Sequence, residues 1–300
     1  MNKSKIAVLM SSYNGEKYIE EQIESIIEQE NVVVDLFIRD DGSTDKTKEI
    51  ITRFQSENIH INLDDNIGVV KSFFELIKTA DGYDYYALCD QDDVWDKDKM
   101  YVAIKHIKEY SYKPSLYFST TRVVDDCLNL LENRCSTVEE GVYDSVKVLV
   151  GNNATGCTMV FNSKLRNMVI TYFPNRIIMH DHWIYFLCIM CGGYLFFDKT
   201  PHISYRQHGN NELGNNIPFR KRISMSSFKK GKRIRSEMSK QLYEHYKGDI
   251  SKNNKELLFC SAYYSKNKKN KIKLINYLRR SNLSIKRKFI TIIEVLLGFY

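Results

Sequence analysis

Tyr85-Tyr86-Ala87-Leu88-Cys89-Asp90-Gln91-Asp92-Asp93-Val94-Trp95 is an apolar run that stops on three carboxylates within four positions. Strand-forming residues ending in acid predict a buried strand that delivers carboxylates to the edge of a sheet. Side chains alternate along extended backbone, so Asp90 and Asp92 leave it on one side. Held that close they repel unless a cation sits between them. Hard oxygen ligands select Mg²⁺ or Mn²⁺, and Mg²⁺ in such sites usually bridges to substrate phosphates. A solvated acidic turn has the same local sequence, so the surrounding segments must decide.

Upstream, strand-like and helix-like segments alternate. Ile6–Met10 is a continuous apolar run followed by the turn cluster Ser11-Ser12-Tyr13-Asn14-Gly15. Ile19, Ile23, Ile26 and Ile27 recur at helical spacing. Val32–Ile38 is a second strand ending on Asp40-Asp41; Gly42-Ser43-Thr44-Asp45 turns the chain and caps a helix with Thr47, Ile50, Ile51 and Phe54 inward. Ile59–Leu63 is a third strand, and Asp65-Asn66-Ile67-Gly68 leads to a helix burying Val70, Phe73, Phe74 and Ile77. The quoted strand comes fourth. Alternation of this kind implies right-handed crossovers and a mainly parallel sheet. Ligands bind such sheets outside the carboxyl ends of the strands. The loops 11–15, 40–45 and 90–93 should therefore meet at one edge and frame a nucleotide-sized crevice. Neither GxGxxG nor GxxxxGK[ST] occurs in the first loop, so a dinucleotide fingerprint and a P-loop are both excluded.

Composition agrees with a globular chain: 300 residues, 43% hydrophobic and 27% charged. No signal-peptide pattern precedes Ile6, and the longest apolar stretch, Trp183–Phe197, is broken by two glycines and falls short of the roughly 20 residues a membrane span needs. A cytoplasmic protein is expected. The odd cysteine count of 7 argues against a disulfide framework. Cys188-Ile189-Met190-Cys191 lacks a second metal-binding pair and reads as thiols buried in a helix.

The series Ser11-Ser12-Tyr13-Asn14-Gly15-Glu16, Asp40-Asp41-Gly42-Ser43-Thr44-Asp45, Asn66-Ile67-Gly68 and Cys89-Asp90-Gln91-Asp92-Asp93-Val94-Trp95 resembles that of family 2 glycosyltransferases with the GT-A fold. The last motif, with Tyr205-Arg206-Gln207-His208-Gly209-Asn210-Asn211, is most similar to the bacterial rhamnosyltransferase-like members. The likeness covers roughly residues 4 to 215. It implies an α/β fold, a Rossmann-like sheet flanked by helices, with a catalytic domain over 1–215 and a basic, mainly helical extension over 216–300. It also implies roles. Ser11 and Tyr13 match positions that hold base and ribose, and Asp41 matches the carboxylate that accepts from a pyrimidine N3–H; helix capping is the alternative for Asp41. Glu16, Gly68, Lys71, Asp90 and Gln91 complete the nucleotide-sugar set. Asp92 matches the direct Mn²⁺ or Mg²⁺ ligand, His208 a further metal or diphosphate contact, and Asp93 a supporting position. The metal would neutralise the leaving diphosphate.

The second half supplies the acceptor side in this resemblance. A helix with Met100, Ile104 and Ile107 and a strand at 116–119 are followed by an unpatterned loop over 125–142. Gly151–Cys157 resembles the family's loop lining the sugar pocket, or is an ordinary turn before a strand at 158–161. Met179-His180-Asp181-His182-Trp183 opens an apolar helix. A carboxylate there is commonly a cap; by resemblance Asp181 is the general base of an inverting transferase. His180 and His182 could form a metal pair or be packed or solvent-facing imidazoles. His202–His208 alternates like an edge strand, with Arg206 suited to structural or phosphate pairing, and 210–216 suggests a lid.

Charge is distributed unevenly. From Phe219 to Tyr300 there are 22 Lys and Arg against 5 Asp and Glu, while the whole chain carries only +7. Without a nucleic-acid-binding motif, nucleic acid is excluded as a partner. A solvated helical surface and an anionic membrane surface remain, and the second is expected, with the apolar 289–300 run lying in the interface at the inner face of the cell membrane. The expected donor is dTDP-L-rhamnose, with UDP-hexoses behind it, and the expected acceptor is a lipid-linked saccharide. A sugar nucleotidyltransferase would need a Gly-rich basic loop after the first strand, and a non-catalytic binding module would tolerate loss of Asp181.

Overall fold

The apolar runs pair as parallel strands. In the computed structural model, which describes residues 4–133, 144–208 and 233–300, β1 (Lys5–Ser12) lies between β2 (Val33–Asp41) and β4 (Tyr85–Cys89). Outside β2 comes β3 (Ile59–Asp64). Beyond β4 come β9 (Val160–Asn162), β6 (Ser115–Ser119) and β10 (Tyr194–Asp198), giving the order β10-β6-β9-β4-β1-β2-β3. Every pairing in this sheet is parallel except those made by β9. The chain moves from β1 outward to β3 and then returns past β1 to β4, so strand order reverses beside β1, where a ligand crevice forms in such sheets. Ser12 lies opposite Asp40 and Met10 opposite Cys89. The residues that follow these strands therefore leave the sheet at one edge, as the sequence pattern predicts.

Helices α1 (Ile19–Ile27), α2 (Thr47–Arg53), α3 (Val69–Thr79) and α4 (Lys99–Ile107) supply the expected inward stripes. Ile19, Ile23 and Ile26 are wholly buried, each side chain contributing about 1.5–3 kcal/mol relative to exposure. Three expected members depart from their stripes, Val70 of α3 being only half-buried. Ile27 is 54% exposed, because adjacent residues on a helix point about 100° apart and Ile26 already faces the sheet. Phe54 falls just beyond α2 and is half-buried.

A smaller sheet runs β5-β11-β7-β8, from β5 (Val94–Trp95), β11 (Ile203–Arg206), β7 (Arg122–Val124) and β8 (Leu130–Asn133). Two expectations are corrected here. The 202–208 segment is an interior strand, antiparallel to β5 and parallel to β7, since its partners are short segments far away in sequence that no local pattern reveals. Within the expected loop 125–142, Leu130–Asn133 is a strand; Leu130 and Leu131 are both exposed, which removes any period. Residues 134–142 of that segment, the 210–216 loop and the basic clusters at 220–222 and 229–232 lie outside the described residues. Strand β10 and helix α6 (Ser163–Thr171) were not anticipated. Asn162 caps α6 by accepting from the Leu165 amide at 3.0 Å.

The strands and these five helices fall in one compact unit, Met1–Gly141, Ala154–Phe173 and Tyr194–His208. A second comprises Val142–Asn153, Pro174–Gly193 and Gly209–Tyr300. At its centre is α7 (His180–Met190), buried along its whole length, packed on α5 (Ser145–Val150) and α9 (Lys252–Tyr263). Asn254 ties the three together, donating to Ile189 O at 2.9 Å and accepting from Ser145 Oγ at 2.7 Å. Cys188 is buried in α7, whereas Cys191 follows its end and is only half-buried, so the two do not form a matched pair inside the helix. Helices α8 (Ile234–His245), α9, α10 (Lys268–Arg280) and α11 (Ile285–Leu297) pack in succession. Among the described residues no helix is long and apolar enough to cross a membrane.

Candidate active site

Hydrogen bonds knit the first two loops together. Asn14, at φ 49°, donates its amide to Ser43 Oγ at 2.9 Å and accepts from the Thr44 amide at 2.8 Å. The Gly15 amide reaches Thr47 Oγ1 at 2.8 Å. Glu16 accepts from the Lys46 amide at 2.9 Å and donates its own amide to Asp45 at 3.2 Å. The acidic loop is fastened to this pair by a two-way clasp: Gln91 Oε1 accepts from the Tyr13 amide at 2.9 Å, and Gln91 Nε2 donates to Tyr13 O at 3.0 Å. A Cβ on Gly15 would lie 2.3 Å from Gln91 Oε1, so the clasp closes only over glycine. The Tyr13 ring is 49% exposed beside it.

Asp40 and Asp41 serve the turns that surround this edge. Asp40 is wholly buried and accepts from the Ser43 amide at 2.8 Å and Ser12 Oγ at 3.2 Å. Asp41 is also buried; Oδ1 is paired with Arg39 and accepts from the Ile67 amide at 2.8 Å, and Oδ2 accepts from the Gly68 amide at 2.9 Å. Gly68, at φ +83°, is in a region that favours glycine. The Ser11 hydroxyl donates to Ser72 Oγ at 2.7 Å, and Lys71 is exposed in the first turn of α3. All eight residues expected to hold the nucleotide sugar therefore lie on the loops and helix starts at the carboxyl ends of β1 to β4.

The two expected metal ligands meet. His208 Nε2 is 2.7 Å from Asp92 Oδ2, and its ring stacks on Tyr18 with centroids 5.0 Å apart. Arg206 fixes this geometry from β11. Its amide donates to Asp93 Oδ1 at 3.2 Å, Nε to Asp92 O at 2.9 Å, and Nη2 pairs with Glu21, while the guanidinium lies 4.4 Å from the Tyr18 centroid. Of the two uses expected for Arg206, this is the structural one.

Asp90, Asp93 and Cys157 form a second group whose ligand atoms lie within 4.8 Å of one another. Asp93 is completely buried, and its Oδ2 has no hydrogen-bond partner. Burial first, then the charges of Asp92 and Asp90, push its carboxyl well above the usual carboxylate range. Crowded carboxylates with an unsatisfied oxygen and an imidazole alongside fit a hard divalent cation. Cys157 does not extend that set. Its thiol is held protonated by burial, and soft sulfur is a poor ligand for Mg²⁺ or Mn²⁺.

The sequence reading did not place three participants beside the acidic loop. Tyr18, which also donates to Asp126 at 2.8 Å, gave no signal beyond its place before α1. Cys157 is linked to Asp90 and Asp93 only by tertiary structure. Lys99 was detectable, because it follows Trp95 by four residues. It is wholly buried with its ammonium 3.3 Å from the Trp95 ring centroid, and burial lowers its pKa to about 8.

Asp181 belongs to the second compact unit. It is the second residue of α7, buried, and its Oδ1 accepts from the His182 amide at 2.6 Å. The flanking imidazoles are packed. Burial lowers His180 to about 3 and His182 to about 4, so both are neutral, and His182 Nε2 is 2.9 Å from Val148 O.

Comparison with known proteins supports one assignment. The family model described as "Glycosyl transferase family 2" matches residues 7–139. A dTDP-rhamnosyl transferase, RfbG of Shigella flexneri, is 33% identical over 249 residues, covering 77% of this chain and 82% of the relative. Among solved structures, S. aureus TarS 1-349 in complex with UDP-GlcNAc superposes with TM-score 0.63 at 15% identity, covering 99% of this chain and 82% of that one. The Pyrobaculum calidifontis mannosyltransferase PcManGT, in complex with GDP-Man and Mn²⁺, gives TM-score 0.53 at 15% identity, covering 100% and 82%. With its GT-A sheet and its likeness to a rhamnosyl transferase across most of both chains, this chain is a glycosyltransferase and belongs to glycosyl transferase family 2.

Proposed function

We propose that the protein transfers L-rhamnose from dTDP-L-rhamnose, with inversion, to a lipid-linked intermediate of a bacterial surface polysaccharide at the inner face of the membrane. The observation that carries the metal-dependent part is the meeting of Asp92 and His208 beside Asp90 and Asp93, at the edge where Tyr13 and Gln91 clasp. The 33% identity to a dTDP-rhamnosyl transferase across most of both chains supports the donor; UDP-hexoses are the alternative.

Mn²⁺ or Mg²⁺ held by Asp92 and His208 would neutralise charge on the departing nucleoside diphosphate. The chain's own residues do the rest. Ser11, Tyr13, Glu16, Asp41, Gly68, Lys71, Asp90 and Gln91 cradle the donor, with Asp41 offering Oδ2 to the base. Asp181 takes the proton from the acceptor hydroxyl as its oxygen attacks the sugar C1. One base and no covalent intermediate give inverted stereochemistry. Burial keeps His180 and His182, which flank Asp181 in sequence, neutral.

A donor panel of dTDP-rhamnose and common UDP-sugars with Mn²⁺ tests the reading. Asp92→Asn should abolish transfer, and wild-type activity that persists undiminished in chelator would sink the metal role. Asp181→Asn should bind the nucleotide donor with unchanged affinity by calorimetry yet lose transfer by at least about 100-fold; unaltered turnover removes it as the base.

A further inference from the structure

We propose that the groove between the start of α10 and the end of α11 seats the headgroup of an anionic lipid, with the exposed face of α11 lying on the bilayer; this rests on the membrane-facing reading above and gives it a location. The groove encloses about 620 Å³. Arg233, Lys266, Lys268 and Lys271 line it, and no carboxylate does. Lys271 donates to Leu296 O at 2.8 Å, which fixes one ammonium at the mouth. The rest of the lining mixes Tyr264, Ser265 and Asn267 with aliphatic side chains, three of which are open to solvent: Ile272 is 52% exposed, Leu296 54% and Leu297 63%. Cations beside uncovered aliphatic side chains match a phosphate joined to acyl chains and do not match a purely polar ligand.

Helix α11 continues the surface. Ile285, Phe289, Ile292 and Leu296 are spaced four, three and four apart, which sets them on one face. Ile285 is 87% and Phe289 67% exposed, while Thr291 and Val295 are buried and anchor the helix. Glu294, its one acidic residue, is paired with Arg235 at 2.6 Å. The exposed apolar stripe is therefore accompanied by Lys286 and Lys288 and by no free negative charge. A second copy of the same face would meet like charge, and a nucleic acid would gain nothing from the isoleucines and phenylalanine. An anionic bilayer surface satisfies both features at once.

Vesicle flotation of the full chain tests this, using phosphatidylcholine alone and phosphatidylcholine with about 30% phosphatidylglycerol. The chain should float with the anionic vesicles only, and less so as salt rises. Lys266→Glu with Lys268→Glu, and separately Phe289→Glu, should each reduce the bound fraction about tenfold, while hydrolysis of a soluble donor is unchanged. Equal flotation with neutral vesicles, or undiminished flotation of both variants, overturns the proposal. So does a dimer in light scattering that Phe289→Glu dissolves without altering vesicle binding, since the stripe would then serve a second copy. Lost flotation with donor hydrolysis intact would remove the groove alone; flotation without hydrolysis of any donor would remove the catalytic reading alone.

Discussion

Gly15 marks the point where a single atom governs the site. Gln91 crosses its Cα so closely that a methyl group there would overlap the amide by more than any real contact tolerates. Its backbone needs no left-handed conformation, so the constraint is steric. Gly15→Ala should push the Gln91 amide away and release both hydrogen bonds to Tyr13. Two net hydrogen bonds at an exposed position are worth on the order of 1–2 kcal/mol. The expected outcome is a donor Kd raised about tenfold with a melting temperature close to wild type. Unchanged donor affinity would mean that the clasp does not shape the donor site.

Whole elements were legible wherever the pattern was local. Tyr85–Cys89 was bounded from sequence as it stands in the structure, because a continuous apolar run closed by acid has few other solutions in an alternating chain. Carboxyl-end placement of the loops followed from topology alone, and the resemblance supplied the residues. The losses have a common physical origin. Strand β11 was misjudged as an edge because its neighbours, Val94–Trp95 and Arg122–Val124, are two and three residues long. Strand β10 was hidden in the apolar stretch that begins in α7, and only the break at Gly192, with φ +72°, separates the two. The Arg206 anchor and the approach of Cys157 to Asp93 depend on long-range packing, which periodicity does not encode.

At the scale of the molecule, two histidines of the second compact unit and one of the first shift with opposite sign. In the second unit, His180 and His182 are kept neutral by burial, at about 3 and about 4 against 6.5 when exposed. The unfolded chain takes up these protons below pH 6.5 and the folded one does not until the lower values. Stability present above 6.5 is thus lost as pH falls through 4 toward 3, on the order of 3–5 kcal/mol per histidine when complete. In the first unit, His202 is raised above 6.5, by its hydrogen bond to Asp198 and then by Asp98. Its contribution is present below 6.5 and disappears as pH rises through the folded value. Acidification from pH 7 to about pH 5 should lower the urea midpoint of the second unit and spare the first. Equal displacement of both midpoints would contradict this.

The chain's two tryptophans make that experiment possible without a label. Trp95 is in the first unit and Trp183 in the second, and both are buried. Trp95→Phe leaves an emission signal from α7 alone, and Trp183→Phe leaves one from beside the acidic loop. Because the Lys99 ammonium lies against the face of the Trp95 indole, the colour of that emission is tied to a fixed nearby charge. Two residues from Asp93, Trp95 is expected to act as an optical electrometer: its emission in the Trp183→Phe variant should shift when Mn²⁺ or a nucleoside diphosphate is added, and an unchanged spectrum would contradict this.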